Sequence, residues 1–267
     1  MESYTGPLAK MKTELGSPTR YTLSLGEHEL SMNDFIGRTL GLHYTGQIRC
    51  FCGEMKNKTY RQNFCYNCFW EKPQAGDPIF HPERSQAHLG IEDRDLEWEK
   101  ANQLQPHVVY LAVSSGLKVG VTRKQQVPTR WIDQGASYAI QFAETPNRYL
   151  AGAIEVALKE YLNDKTAWQR MLKNEVPDLD LRSEKYRVSK LLEAEFQQYV
   201  VEDDTITDIE YPVEDYPTKT KSLNLQKVER FEGELTGIKG QYLIFGDNAV
   251  FNVRNNEGLI VELSIPS

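Results

Sequence analysis

No stretch of this sequence approaches 18 uninterrupted apolar residues, the length a membrane span needs, so nothing in it reads as a transmembrane helix. The opening residues, MESYTGPLAKMK, lack the apolar run of a secretory signal, and the expected compartment is the cytoplasm. There is no internal repeat and no low-complexity tract. Cysteine is scarce: four in 267 residues, none outside residues 50–68. A reducing compartment argues against disulfides there, so the clustering calls for another reason, and a metal is the first candidate.

Uniform charge is also missing. The net charge of −7 counts at first against a nucleic-acid partner, but it hides a pattern. Residues 49–72 carry five Lys/Arg against two Glu, and residues 108–173 carry nine against five acids. Residues 174–216 then reverse the balance, with four basic residues against thirteen acidic ones. Two local basic surfaces beside an acidic stretch suit phosphate binding. The same numbers also describe a solvated acidic helix face beside an incidental basic excess.

A length of 267 residues allows one large domain or two or three small ones. Residues 1–48 read as strands and turns. YTLSLGEHEL alternates polar and apolar from Tyr21 to Leu30, the period of a half-exposed strand. Residues 49–72 form the cysteine module, and residues 73–106 an irregular connector with a helix near DRDLEWEKANQL. HVVYLAV, the turn SSG and LKVGVT predict a buried hairpin. VPTRWIDQGA predicts a short helix between Pro128 and Gly135, SYAIQFAE a third strand, and the stretch from Pro146 to Asp164 a strong helix. Thr166–Gln169, TAWQ, is a capping-box match. SEKYRVSKLLEAEFQQYV reads as one more helix, ending a segment from 107 to 200. Residues 201–267 form a C-terminal β domain, with a linker or sheet edge to residue 222 and four or five short strands beyond. They predict a small barrel or sandwich, which the N-terminal strands could complete. The expected fold class is α+β.

The cysteines read C-x-C, twelve residues, C-x2-C at Cys50, Cys52, Cys65 and Cys68. Two close pairs of thiolates, joined by an interval long enough for a hairpin, can surround one tetrahedral zinc and staple a segment too short to fold alone. The expectation is a structural zinc ribbon. Its aromatics, Tyr60, Phe64, Tyr66, Phe69 and Trp70, suit either packing or nucleic acid. His81 and His88 follow as candidate ligands in a polar connector.

A second constellation lies downstream. Tyr110 sits in a buried-looking strand, Lys118 just before Gly120, and Arg130 at a helix start, where N–H groups favour an anion. Glu155 shares its helix side with Ala151, Leu158 and Leu162, where a carboxylate is costly unless it is paired or holds a cation. A phenol, an ammonium, a guanidinium and a carboxylate could together serve phosphodiester cleavage. The bland alternative is packing for Tyr110 and Gly120 and an Arg130–Glu155 ion pair.

VVYLAVSSGLKVGVTRKQQVPTRW followed by RYLAGAIEVALKEYL resembles the core of the GIY-YIG endonuclease superfamily. That superfamily has two signature strands, a helix carrying an arginine and a later helix carrying a metal-binding glutamate. The resemblance implies that Tyr110 matches the first signature, that KVG at 118–120 matches the second with Lys118 where tyrosine is usual, and that Arg130 and Glu155 match the arginine and the glutamate. The first signature reads VVY without its glycine. By this resemblance Arg130 holds the scissile phosphate, Glu155 holds Mg2+ or Mn2+, and Tyr110 or Lys118 serves proton transfer.

The chain is also similar to an uncharacterised bacterial and archaeal family, a domain of unknown function, through the cysteine module, KVGVTR, RWIDQGA, NRYLAGAIEVALK and GIKGQYLIF. The family resemblance implies extra cysteines in other members where this chain has Ser85 and His88. Two functions stay open. One is a nucleic-acid-binding protein gripping through Lys118, Arg123, Lys124, Arg130, Trp131 and Arg148, either as a metal-dependent nuclease or as a non-catalytic module. The other is an adaptor whose acidic 174–216 segment docks a basic protein.

Overall fold

The computed structural model describes residues 2–162 and 167–266. The predicted capping residue Thr166 lies outside them. The protein is α+β, and its strands form several sheets with no closed barrel among the described residues. The chain divides into two compact units, one of Met1–Phe69, Ile132–Gly135 and Ile209–Ser267, the other of Trp70–Trp131 and Ala136–Asp208.

The first unit joins both ends of the sequence in one open sheet. Its strand order is Glu2–Pro7, Leu259–Ile265, Thr39–Arg49, Arg230–Lys239, Tyr242–Phe245, Ala249–Asn252 and Lys221–Ser222, with Met55–Lys56 paired to Thr39–Arg49. The final strand, LIVELSI, alternates buried and half-buried, as a strand with one covered face must. It sets Leu263 opposite Leu42 and Val261 opposite Tyr44. Leu40, Leu42, Leu235, Phe245, Phe251 and Val261 are fully or almost fully buried. Side chains of this kind contribute roughly 1.5–3 kcal/mol each. The stretch Tyr21–Leu30 is a hairpin, not the single strand its alternation predicts. Leu25 pairs with His28 across Gly26 and Glu27, and Gly26 takes a φ of +65°, where only glycine sits without strain.

The second unit is built on the sheet order Ile206–Asp208, Tyr138–Thr145, His107–Val113, Leu117–Arg123. His107–Val113 is buried at every residue, as its continuous apolar run predicts. Val109, Leu111, Val113, Val119, Ile140 and Phe142 meet Ala151, Ile154 and Leu158 of the helix Arg148–Lys159. Asn147 caps that helix, its side chain accepting from the Leu150 N–H at 3.0 Å. The predicted helix over residues 183–200 is two pieces, Leu181–Ser189 and Ala194–Gln197. Past them the backbone turns to the sheet, where Tyr199 O accepts from the Glu144 N–H at 2.9 Å and Val201 N–H donates to Phe142 O at 3.0 Å. Pairing with the strand overrides helix propensity.

Candidate functional site

The cysteine centre begins where the strand Thr39–Arg49 ends. Cys50 N–H donates to Glu54 O and Gly53 N–H to Cys50 O, both at 2.8 Å, which closes the turn carrying Cys52. Met55–Lys56 then returns along the strand. The second pair stands on a helix start, not on a second hairpin: Cys65 precedes the helix Tyr66–Glu71, Cys68 lies within it, and Phe69 N–H donates to Cys65 O at 2.9 Å.

The four sulfurs lie within 4.8 Å of one another, and none is in a disulfide. Zinc–thiolate bonds of about 2.3 Å set tetrahedral sulfur spacings just under about 4 Å, so the set fits with a small contraction. Cys65 N–H already donates to Cys50 Sγ at 3.2 Å, a bond that favours thiolate. The Cys68 backbone and the neighbouring thiols draw the Cys65 thiol down to about 7. Burial pushes Cys68 up to about 12, so its thiol stays protonated at neutral pH unless a metal displaces the proton from sulfur. These four cysteines can hold a metal such as zinc. Among the described residues they are the only group of three or more His, Cys, Asp or Glu placed to do so. His81 lies 3.5 Å from Glu83, and His88 stacks on Tyr149 at 4.5 Å. Ser85 is buried and donates to Gln103 Oε1 at 2.5 Å.

In the second unit, strand pairing puts Tyr110 opposite Gly120 and Ala112 opposite Lys118, on the sheet face away from Val109, Leu111 and Val113. A Cβ at Gly120 would stand 2.5 Å from the Tyr110 hydroxyl, so the absent side chain is what lets the phenol lie there. Tyr110 is wholly buried, with the Trp131 ring at 6.0 Å, and Trp131 is itself buried. Neither ring faces solvent in this arrangement.

The cations influence one another electrostatically. Lys118 is 5 % exposed, and burial, with Arg130 adding to it, brings its pKa down to about 8. Arg148 donates through Nε to Pro78 O at 2.7 Å and through Nη2 to Ile79 O at 2.8 Å. Burial lowers it to about 10; Glu155 opposes that shift, and Arg130 and Arg123 reinforce it. Glu155 is raised by burial, against the pull of Lys159 at 3.6 Å and of Arg148, with Glu83 raising it further. Lys118, Arg130, Arg148, Arg123 and Glu155 therefore belong to one electrostatic cluster. Lys124 is turned outward, paired with Glu144 at 2.8 Å, and Arg123 donates to Asn102 Oδ1 at 3.2 Å.

Sequence reasoning missed His107. Its Nδ1 lies 2.7 Å from Gln105 O and must carry the proton, which leaves Nε2 a bare acceptor, buried and without a hydrogen-bond partner among the described residues. Burial, with Arg148 and Arg123 adding to it and the Gln105 carbonyl opposing, holds its pKa down to about 4. A histidine heading an apolar strand gives no sign of this in sequence. A minority of the carboxylates in the acidic 174–216 segment are used locally. Asp180 caps a helix, Asp203 accepts from Thr205, Asp204 pairs with Lys185 at 2.9 Å and Glu184 with Arg187 at 2.8 Å.

Among the described residues no helix is long and apolar enough to cross a membrane. The class defined so far is an α+β protein with a four-cysteine centre able to hold a metal. The chain belongs to the family described as Protein of unknown function (DUF2797), whose model matches residues 37–261 and so takes in both the cysteines and the cation cluster. Comparison with curated proteins and with solved structures found no match.

Proposed function

We propose that the second unit binds the phosphate backbone of a nucleic acid at the cluster of Lys118, Arg130, Arg148 and Arg123. The observation that carries this reading is the gathering of like charges in a poorly solvated place. Arg130 disfavours the charge on Lys118, and Arg130 and Arg123 disfavour that on Arg148. A bound polyanion relieves that repulsion, and it does so more strongly there than at a solvated surface. The order of elements supports the GIY-YIG-like reading as well: a hairpin, a short helix with Arg130, a third strand pairing beside the first, then a helix with Glu155.

On that reading cleavage extends binding. Arg130 holds the scissile phosphate and Glu155 supplies a carboxylate to Mg2+ or Mn2+, ions that take one or two carboxylates and the phosphate itself. Lys118, with its pKa about 8, suits proton transfer better than the enclosed Tyr110.

The test is binding and cleavage of single- and double-stranded DNA and RNA by zinc-loaded protein, with and without added Mg2+ or Mn2+, across a range of salt. Retention should fall steeply with salt and weaken at least about tenfold in Arg130→Ala. Cutting that needs the added ion and is lost in Glu155→Ala marks a nuclease; retention without cutting marks a binding module. No retention by wild type at low salt rejects the proposal.

A further inference from the structure

We propose that the cysteine module carries a stacking platform for the unpaired bases of a single-stranded nucleic acid, with Tyr60 and Tyr66 as the stacking rings and Lys58 and Arg61 as the phosphate contacts. This rests on the nucleic-acid reading above and adds to it a place and a strandedness.

The rings divide sharply by exposure. Phe64 is buried, whereas Tyr66 is 63 % exposed, Tyr60 49 % and Phe51 42 %. The exposed rings are nonetheless held. Tyr60 meets Tyr66 edge-on with centroids 5.3 Å apart and leans on Phe69 at 5.1 Å. Phe51 stacks on Phe64 at 4.9 Å. The backbone beneath is tied as well, with Tyr60 N–H donating to Phe64 O at 2.8 Å and Phe64 N–H to Arg61 O at 2.9 Å. Rings propped in this way lose little freedom when a ligand covers them.

Cations are interleaved with the rings. Arg61 lies over the Phe69 ring at 5.4 Å, and Lys58 and Arg61 are both exposed. Glu54, the only acid between residues 49 and 69, is taken by Lys56 at 2.6 Å. That stretch has four Lys/Arg in a chain whose net charge is −7. Alternating aromatic faces and cations is the surface chemistry of single-strand binding. A duplex offers no open base face to stack on, and lysine, which the patch carries at the exposed Lys58, is depleted from protein interfaces.

The experiment uses the zinc-loaded full chain and labelled oligothymidylate, oligouridylate and a DNA duplex of equal length. Replacing both rings, as Tyr60→Ala with Tyr66→Ala, should weaken single-strand binding by about tenfold or more and leave duplex binding near wild type. Tyr66→Phe keeps the ring and should bind as wild type. Zinc content and circular dichroism check the fold. Should Tyr60→Ala release zinc, Tyr66→Ser combined with Lys58→Glu is the replacement variant. A zinc-replete double variant that binds the single strands as tightly as wild type overturns the platform. If Arg130→Ala still weakens binding in that case, the phosphate cluster stands without it. If wild type binds none of the three probes, both readings fall.

Discussion

The cysteine module and the central hairpin are written with the same residue types and use them in opposite ways. In the hairpin unit the rings of Tyr110 and Trp131 are buried, and the cations Lys118 and Arg148 are buried or half-buried as well. In the cysteine module it is the thiols of Cys50 and Cys68 that are buried, while Tyr60, Tyr66, Lys58 and Arg61 face solvent. The difference follows from what each region has for a core. A sheet packed against a long helix encloses enough apolar surface to hide large rings. About twenty residues around four cysteines enclose little beyond the thiols and Phe64, so most of the other rings stay out. Buried cations then become pH-sensitive, and the exposed rings keep a face toward solvent.

The largest expected effect is therefore metal removal. A structural zinc contributes folding free energy outright, about 10–16 kcal/mol in small zinc modules. Cys68→Ser, or stripping with a chelator, should abolish zinc binding and remove amide-exchange protection across residues 50–69. The strands His107–Val113 and Leu117–Arg123 should keep theirs, because their bonds depend on the apolar core around Val109 and Leu111. Measured by hydrogen exchange, protection at 50–69 that survives zinc loss would break the contrast, since the module would then have a core of its own.

The next effect sharpens the contrast between buried and exposed cations. Lys118 has a folded pKa of about 8 against an ordinary value of about 10.4, so between those values the unfolded chain binds more protons than the folded one. Stability of the free protein should rise as pH increases through that window, and the penalty for holding the charged amine is fully present below pH about 8. The size is on the order of 3 kcal/mol for the whole window. Phosphate binding needs the charged form, so affinity should fall over the same range. Lys239, fully buried against Tyr211 and Tyr216 and also lowered to about 8, adds a similar slope to stability. The difference between wild type and Lys118→Met in urea titrations isolates the Lys118 share. Equal slopes in the two proteins would show that Lys118 does not titrate there.

Much of this was legible in the sequence, for physical reasons that vary by element. HVVYLAV announced a buried strand because a strand covered on both faces leaves no room for polar residues. The Cys50–Cys68 spacing announced a cluster able to hold a metal because thiols in two close pairs can surround one ion. The split at Gly26 was hidden by an alternation that continues on both sides of the turn. The end of the helical stretch at Gln197 was hidden because the residues after it, Tyr199 and Val201, pair with Glu144 and Phe142, more than fifty positions away. The β domain does not close as a barrel because its sheet runs from Glu2–Pro7 at one edge to Lys221–Ser222 at the other, with those edges unpaired to each other. Trp131 looked available for stacking because a sequence shows the residue and not its burial. His107 gave no signal, since its significance lies in which neighbours surround Nε2.

The smallest effect tests the assignment inside the basic cluster. The sequence groups Lys124 with Arg130, six residues apart, as equal contacts for a nucleic acid. The structure separates them: Lys124 is exposed and paired with Glu144, while Arg130 is half-buried and acts on both Lys118 and Arg148. An exposed ion pair contributes about 0–1 kcal/mol, so Lys124→Ala should leave the urea midpoint almost unmoved. Its effect on nucleic-acid affinity should be at most a few-fold and should shrink with salt, because a solvated charge is screened within about 10 Å at 0.1 M. Arg130→Ala should cost more and keep more of its effect in salt, since its neighbours are poorly solvated. If the two variants lose affinity equally at every salt concentration, burial does not distinguish the cations, and the polyanion is held by the surface charge of the whole segment.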